Sequence, residues 1–237
     1  EKSSTSSNKK SNEPFTVLLL GMDSTMDDIS KITSFNADSI MLVTFNPSTY
    51  NATILSIPRD TYVPITCIKN SPNSKVTHSG WNGESCVIST LEKWMDIKID
   101  YYVKVNFTGV VNLVDKLNGV EIDVPYSFCE QNSKREWGKN TVYVEKGKQI
   151  LNGEQVLAFT RNRHPNPDMC SSKWTNYYSD DIVRGQNQQT VIRALMNKLK
   201  TVRNLDTVYE LLDTISNSMQ TNMTTNEILS LYNVGKD

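Results

Sequence analysis

The sequence predicts an α/β protein of three layers, in which helices flank a central mixed β-sheet. Short apolar runs recur along the chain and end at glycine or proline, as the strands of a buried sheet do. Segments with apolar residues at helical spacing alternate with these runs. The chain has 237 residues, of which 38% are hydrophobic, and this is enough for one sizeable core.

The first predicted strand is the apolar run Phe15–Leu20, which stops at Gly21. A continuous apolar run indicates a strand that is covered on both faces, so we expect it at the centre of the sheet. Two more strands are predicted at residues 39–45 and 52–57, joined by a polar turn. Pro58 ends the third strand because proline cannot donate a hydrogen bond to a neighbouring strand.

The later elements follow from the same patterns. They are a helix around residues 87–95, strands at 101–105 and 120–124, a helix at 107–117, an apolar helix or strand at 151–159, a helix at 181–200 and two helices near the end. The helix at 181–200 is amphipathic, and Ile192, Leu195 and Leu199 are expected to face the core. The polar stretches at 64–85, 126–149 and 162–178 are interpreted as long irregular loops, the second of them with one strand at 141–144.

Composition limits the partners and the location. The net charge of -1 gives no general attraction to polyanions, so we expect no nucleic-acid partner. The apolar run around Val17–Leu20 is far shorter than the roughly 20 residues of a membrane span, and no secretory signal is recognisable. Residues 1–13 contain no apolar anchor and predict a flexible tether, followed by one domain at 14–237.

The four cysteines are Cys67, Cys86, Cys129 and Cys170. None belongs to a CxxC pair, so a zinc ribbon or a thioredoxin-type site is not expected. An even number at wide spacing favours two disulfides and an oxidising compartment, and four unpaired thiols are the alternative. Three pairings are possible. We favour Cys67–Cys86, which would close one polar loop, and Cys129–Cys170, which would tie two long loops together.

Two carboxylates flank the first two predicted strands. Asp23 follows the first strand after Gly21, and Asp38 immediately precedes the second strand. Open α/β sheets bind ligands at the carboxyl edge of their strands. Two carboxylates at such an edge could hold a hard cation through their oxygens. The alternative is that each aspartate only caps a turn.

Four arginines form a candidate anion site: Arg59, Arg161, Arg163 and Arg184. Arg59 leaves a strand end that Pro58 makes rigid, and a guanidinium fork suits a pair of phosphate oxygens. The alternative is a surface arginine that is paired with Asp60 or forms a salt bridge elsewhere. Arg161 and Arg163 would point the same way if their segment is extended.

The start of the helix at 181–200 carries a polar face. Asp181, Arg184 and Gln188 share this face because they are three and seven residues apart. This arrangement favours a site, and a solvated helix end is the alternative. His78 and His164, the only histidines, are interpreted as ordinary loop residues. No P-loop, GxGxxG or HExxH motif is present, so ATP, NAD and a zinc hydrolase are poorly supported.

Taken together, these motifs resemble the LytR-CpsA-Psr family of bacterial cell-envelope phosphotransferases. The matching segments include TVLLLGMDS at 16–24, SIPRD at 56–60, KVTHSG at 75–80, RNR at 161–163 and DDIVRGQNQQTVIRAL at 180–195. The resemblance implies transfer of a glycopolymer from a polyprenyl-pyrophosphate carrier to peptidoglycan. It implies a hydrophobic pocket for the prenyl chain and Mg²⁺ at the pyrophosphate. It also implies an extracellular domain, held at the outer face of the cytoplasmic membrane by an N-terminal anchor outside this chain.

The resemblance also implies a role for individual residues. Asp23 and Asp38 would hold the metal; Arg59, Lys75, Arg161, Arg163, Arg184 and Gln188 would bind the pyrophosphate; Asp60 and Asp181 would support them; and Asp38, Arg59, Arg161 and Arg184 would act in catalysis. Asn36 and Asn187 stand where relatives often have arginine, which predicts less positive charge at the pocket rim. A hydrolase of lipid pyrophosphates and a non-catalytic lipid-carrier-binding or regulatory domain are the alternative functions.

Overall fold

The computed structural model describes residues 13–24, 26 and 28–235, so all but the last residue of the expected tether lies outside the described residues. The strands are β1 (Phe15–Gly21), β2 (Ser39–Asn46), β3 (Asn51–Ile57), β4 (Tyr62–Pro64), β5 (Asn73–Lys75), β6 (Tyr101–Val105), β7 (Val120–Val124), β8 (Phe128–Glu130), β9 (Val142–Val144), β10 (Gly147–Leu151) and β11 (Met219–Thr221). The helices are α1 (Glu84–Met95), α2 (Phe107–Lys116), α3 (Gly153–Arg161), α4 (Asp181–Leu199), α5 (Leu205–Ile215) and α6 (Thr225–Gly235).

The central sheet has the strand order β11-β6-β1-β2-β3. It is mixed, because β1 is parallel to β6 and antiparallel to β2. The first strand therefore lies in the middle of the sheet, as its continuous apolar sequence predicts. The three-layer α/β prediction is confirmed in its main feature, a central mixed sheet flanked by helices.

The two faces of the sheet have different surroundings. Residues that alternate along β1 illustrate this, since side chains of a strand point to opposite faces in turn. Leu18 and Leu20 are fully buried in a core that α1 covers, together with Ile40 from β2. Leu19 and Met41 belong to the opposite face, where they line a cavity beneath the helices. The sheet is thus covered on both faces, but on one face a cavity remains between the sheet and the helices that cover it.

A second core lies beyond this cavity. It joins the two-stranded antiparallel sheet of β7 and β10 to α2, α3 and α4, and its fully buried members include Ile122, Leu151 and Val156. The helix α3 starts at a capping box formed by Asn152 and Gln155. None of the helices within the described residues is long and apolar enough to cross a bilayer.

The structure corrects several of the loop predictions. The stretch 64–85 contains the β4–β5 hairpin and a 3-10 helix at Val76–Asn82. In the stretch 126–149 the strand predicted at 141–144 is confirmed as β9, and β8 and the start of β10 are present in addition. The ambiguous segment 151–159 divides into the end of a strand and a helix. These short elements lack a long apolar period, and disulfides and tertiary contacts supply their stability instead.

Both favoured disulfides are present. Cys67 is bonded to Cys86 and Cys129 to Cys170, with Cα–Cα distances of 5.3 Å and 6.6 Å. The first joins the loop after β4 to the first turn of α1. The second joins β8 to the stretch between α3 and α4.

Candidate functional site

A cleft of about 510 Å³ lies between the central sheet and the helices α2, α3 and α4. Its interior is apolar, with walls that include Leu19, Val103, Leu113, Ile192 and Leu195. Ile192 and Leu195 are only partly buried. Leu195 also packs against the second core, so the prediction that these residues face the core is confirmed for Leu195, whereas Ile192 lines the cleft instead. The polar residues that line the cleft are Asp23, Asp38, Ser39, Asn106, Glu130, Thr160, Arg59, Arg161, Arg163, Arg184 and Gln188.

Asp38 and Arg59 form an ion pair at the mouth of the cleft. NH1 of Arg59 donates to Oδ1 of Asp38 over 2.6 Å. The antiparallel register explains this contact, because Ile40 is paired with Ile57 and the two residues lie directly beyond those ends. The alternative pairing of Arg59 with Asp60 is wrong.

Arg59 retains hydrogen-bonding capacity for a ligand. Its Nε is buried and has no hydrogen-bond partner in the part of the chain that the structure describes. A buried donor without a partner is unfavourable, so an anion that accepts this hydrogen bond would be stabilised.

Asp181 holds two of the other arginines together. Its Oδ1 lies 3.0 Å from NH2 of Arg184 and 3.2 Å from Nε of Arg163. Both contacts are electrostatic, because neither has the geometry of a hydrogen bond to Oδ1. The supporting role predicted for Asp181 therefore has a structural basis. The prediction that Arg161 and Arg163 share an extended segment is wrong, since Arg161 is the last residue of α3.

The positive charges of the cleft are crowded and partly dehydrated. Burial lowers the pKa of Arg184 below its ordinary value, and nearby Arg59 and Arg163 lower this pKa further. Burial also lowers the pKa of Arg161 below its ordinary value. Both effects mean that a bound anion would relieve repulsion and replace lost hydration. The arrangement is suited to a ligand with at least two negative charges.

Arg161 is positioned by two hydrogen bonds to residues outside the cleft lining and by one aromatic residue of the lining. Its NH1 donates to the carbonyl of Asn132 over 3.1 Å, and its NH2 donates to Oε1 of Gln131 over 3.2 Å. The guanidinium lies 4.6 Å from the centre of the Phe107 ring, at cation–π distance. These contacts fix the plane of the guanidinium before any ligand binds.

Gln188 connects α4 to both neighbouring elements. Its Oε1 accepts a hydrogen bond from Ser39 Oγ over 2.9 Å. Its Nε2 donates to the carbonyl of Thr160 over 3.2 Å. The shared helix face of Asp181, Arg184 and Gln188, predicted from their spacing, thus meets the end of α3 and the start of β2.

Lys75 and Asp60 lie apart from the lining of the cleft. Nζ of Lys75 is paired with Oδ1 of Asp60 over 2.9 Å, and both side chains are about half exposed. Asp60 follows Arg59 in the chain and Lys75 is the last residue of β5, so both residues are neighbours of the site.

Asn36 and Asn187, the positions at which the resemblance implies arginine, are also outside the lining. Asn36 accepts a hydrogen bond from Trp81, and Asn187 is only 4% exposed and donates to the Tyr126 hydroxyl. The side chain of Asn187 faces the second core. The predicted loss of positive charge at the rim of the cleft therefore does not apply to Asn187.

Sequence reasoning missed two residues of the site. Arg135 is ion-paired with the carboxylate of Asp23 and also donates to its backbone carbonyl over 3.3 Å. Glu130 lines the cleft, and burial raises its pKa above its ordinary value of 4.5. Both residues come from the irregular stretch after β7, which has no periodic pattern. A positive φ of 62° at Arg135 marks a turn that the sequence does not reveal.

Asp23 and Asp38 form a possible cation site at the mouth of the cleft. The backbone N–H of Asp23 donates to Oδ2 of Asp38 over 3.4 Å, so the two residues are adjacent. No third carboxylate, histidine or thiol joins them among the described residues. Mg²⁺ commonly uses one or two carboxylates and takes its remaining ligands from water and substrate phosphates. The donor set therefore fits Mg²⁺, provided that the ion competes with Arg59 and Arg135 for these carboxylates.

Comparison with known proteins gives a consistent result. The model of the LytR_cpsA_psr family matches residues 1–237. The chain is 31% identical over 221 residues to TagT of Bacillus subtilis (strain 168), named a polyisoprenyl-teichoic acid–peptidoglycan teichoic acid transferase. This match covers 93% of the chain and 63% of TagT, so the chain spans less than two thirds of that relative.

Solved structures extend the comparison. The crystal structure of TagV from B. subtilis superposes with a TM-score of 0.76 at 26% identity, over 95% of this chain and 80% of that one. A TagT structure with bound octaprenyl pyrophosphate lipid superposes with a TM-score of 0.66 at 27% identity, over 97% and 76% of the two chains.

Proposed function

The chain belongs to the LytR-CpsA-Psr family, and on that premise we propose that it transfers a glycopolymer from a polyprenyl-pyrophosphate carrier to peptidoglycan. One observation carries the proposal: Arg59, Arg163 and Arg184 converge at the mouth of an otherwise apolar cleft. A polyprenyl pyrophosphate has the same division, with an anionic head and a long apolar tail. The names of TagT and of the lipid-bound structure support this choice of ligand.

The apolar part of the cleft would hold the prenyl chain. The sheet, α2 and α4 each contribute residues to the walls. Examples are Leu19 from the sheet, Leu113 from α2 and Leu195 from α4. Burying the prenyl chain there removes its surface from water, which contributes roughly 25 cal/mol per Å². The lipid therefore supplies binding energy, and its position at the back of the cleft leaves the pyrophosphate at the arginines.

The arginines would stabilise the transition state of transfer. An acceptor hydroxyl attacks the phosphorus that bears the glycan, a new phosphodiester bond forms, and the bond to the prenyl phosphate breaks. Negative charge grows on the departing prenyl phosphate, where the guanidinium groups of Arg161, Arg163 and Arg184 are already fixed. Asp38 is the carboxylate that we propose as acceptor of the hydroxyl proton.

We propose that Asp23 and Asp38 also bind Mg²⁺. The ion would supply Lewis-acid stabilisation of the phosphate oxygens. The two disulfides are consistent with an oxidising location, and we propose that the domain acts at the extracellular face of a bacterial cytoplasmic membrane, held there by an anchor outside this chain.

A reconstituted transfer assay tests the function. Lipid-linked polymer and peptidoglycan are supplied together, and the covalent polymer–peptidoglycan product is measured. Arg184→Ala should lower transfer by roughly 100-fold or more, since it removes a preorganised charge from the transition state. Arg193→Ala is the matched control, because Arg193 is an exposed arginine on the same helix.

The same assay separates the rival activities. Release of prenyl phosphate without a covalent product would identify a lipid-pyrophosphate hydrolase. Binding of the lipid without turnover would identify a regulatory or carrier-binding domain. Equal transfer by Arg184→Ala and the wild type would contradict the role given to the cleft.

A further inference from the structure

A second groove, of about 960 Å³, lies outside the cleft and shares none of its lining residues. Its lining consists of Pro125, Tyr126, Ser127, Lys146, Ser172, Lys173, Thr175, Asn176, Tyr177 and Tyr178. One wall is the segment after β7, and the other is the stretch between α3 and α4. The function proposed above makes no use of this groove.

The groove is a built structure and not an accidental gap between loops. The disulfide Cys129–Cys170 ties its two walls together. The rings of Tyr126 and Tyr177 are stacked, with centres 4.5 Å apart and planes within 4°. The Tyr177 hydroxyl donates to the carbonyl of His164 over 3.1 Å. Aromatic stacking and a covalent link therefore fix the spacing of the walls.

The chemistry of the lining favours sugar rings. Tyr178 is 76% exposed, and its hydroxyl donates to Asp180 Oδ2 over 2.8 Å, which restrains the ring at the surface. The apolar face of a pyranose packs well on such a ring, and hydroxyl and amide groups such as Ser127 and Asn176 suit sugar hydroxyl and acetamido groups. Burial raises the pKa of Tyr177 to about 12, so its hydroxyl stays neutral.

The groove is almost balanced in charge. Lys173 is paired with Glu145 over 2.7 Å and lies 4.5 Å from the centre of the Trp174 ring. Lys146 has no carboxylate partner within the described ranges, and no described residue of the lining is an arginine. This balance suits a largely uncharged glycan backbone and offers little to a chain of repeating phosphates.

Hydrogen bonds connect the groove to the catalytic cleft. The Tyr126 hydroxyl lies 3.3 Å from Oδ1 of Asn162 and accepts from Nδ2 of Asn187 over 3.1 Å. Nδ2 of Asn162 donates to the Tyr177 hydroxyl over 2.7 Å. Asn162 stands between Arg161 and Arg163 in the chain. The two stacked tyrosines are therefore hydrogen-bonded to a residue whose neighbours in the chain are two arginines of the cleft.

We propose that this groove binds the acceptor, a peptidoglycan glycan strand of N-acetylated amino sugars. The inference rests on the proposed function, because only a transferase needs an acceptor site. The donor is held by its lipid and its pyrophosphate in the cleft. The acceptor has neither group, so its sugar rings are its means of recognition, and they require an aromatic, polar surface beside the arginines.

Tyr178→Ala in the whole chain tests the proposal. The probe is soluble, uncross-linked peptidoglycan strands, and their binding is measured by calorimetry without any donor. Binding should weaken about tenfold, which corresponds to about 1.4 kcal/mol, because one exposed stacking surface is lost. The KM for strands in the transfer assay should rise by the same factor, while the KM for lipid-linked donor is unchanged.

Two further variants sharpen the result. Tyr178→Phe keeps the ring and should bind strands nearly as well as the wild type. Tyr50→Ala is the matched control, because Tyr50 is 58% exposed and lies in the β2–β3 turn, at the opposite end of these strands from Asp38. Unchanged thermal melts of all three variants establish that each one folds.

The possible outcomes separate this proposal from the function on which it rests. Strand binding that depends on Tyr178, without any transfer by the wild type, supports the groove and contradicts the transferase function. Transfer by the wild type with equal strand binding by Tyr178→Ala overturns the groove and leaves the function intact. A raised KM for the donor alone would assign the groove to the donor polymer and overturn the proposal.

Discussion

The carboxylate that precedes β2 and the guanidinium that follows β3 meet at 2.6 Å, where Asp38 pairs with Arg59. Each side chain remains about one quarter exposed, at 25% and 29%. The pair is therefore accessible to a ligand, and its exchange for a phosphate or a cation needs no unfolding. This geometry allows catalysis and stability to be tested separately.

Asp38→Asn should change activity far more than stability. A partly exposed ion pair contributes only about 1 kcal/mol or less to folding, so the free energy of unfolding in urea should stay within that range. Transfer should fall by on the order of 100-fold, because the proposed proton acceptor and metal ligand is lost. Asp123→Asn, at an exposed carboxylate outside the cleft lining, is the control. Parallel losses of stability and activity would contradict the assignment.

Leu113→Trp should block the apolar part of the cleft. Leu113 is half-buried and lines the cavity of about 510 Å³, so the larger indole has space to enter it. We expect the KM for a long-chain prenyl donor to rise at least about tenfold, and the KM for a short-chain donor to change little. Leu113→Met conserves volume and is the control. Equal effects on both donors would show that the lipid lies elsewhere.

Loss of the two disulfides should have unequal effects on stability. The partners Cys129 and Cys170 are 41 residues apart, and Cys67 and Cys86 are 19 apart. Closing the longer loop restricts the unfolded chain more, so replacing its two cysteines by alanine should cost about 4 kcal/mol, and replacing the other pair about 3 kcal/mol. Urea unfolding measures both values.

Intact mass provides an independent check of these bonds. The protein should weigh four hydrogens less than its fully reduced form, because both disulfides are closed. A mass equal to that of the reduced chain would refute them.

The buried carboxylate of Glu130 should make stability depend on pH. Burial raises its pKa in the folded protein above the ordinary value of 4.5. Below that ordinary value Glu130 is protonated in both the folded and the unfolded protein and does not lower the free energy of unfolding. As the pH rises through the folded-state pKa, the carboxyl group ionises more readily in the unfolded chain than in the folded protein, so the free energy of unfolding decreases.

Glu130→Gln tests this relationship because glutamine stays neutral. The stability advantage of the variant should be near zero at about pH 4 and should grow towards about pH 7, as measured by urea unfolding. Glu121→Gln removes an exposed carboxylate and is the matched control. An advantage of the same size at both pH values would mean that the glutamate costs stability for another reason.

The main elements and most of the site follow from the sequence. The apolar run before Gly21 correctly predicts the central strand, and the spacing of Asp181, Arg184 and Gln188 correctly predicts a shared helix face. These features depend on local periodicity, which a sequence displays directly. The four arginines were expected to converge, and all four line one cleft.

The remaining features depend on contacts between distant segments. Arg135 reaches Asp23 from a turn more than a hundred residues later, and no local pattern encodes that approach. Glu130 enters the cleft because its strand is tied down by Cys129, its neighbour in the chain. The partial exposure of Ile192 was also missed, because an apolar stripe looks the same whether it faces a core or a cavity.

The order of strands in the sheet has a kinetic consequence. The antiparallel strands β1, β2 and β3 are consecutive, with residues 22–38 between β1 and β2 and a short turn at 47–50 between β2 and β3. By contrast, the β1–β6 contact joins Val17 to Tyr101 and the β6–β11 contact joins Val105 to Met219. Closing such long loops is entropically costly, so we expect the three-stranded meander to form early and β11 to dock last. Pulsed hydrogen exchange would follow this order, with amides of β2 protected before those of β11.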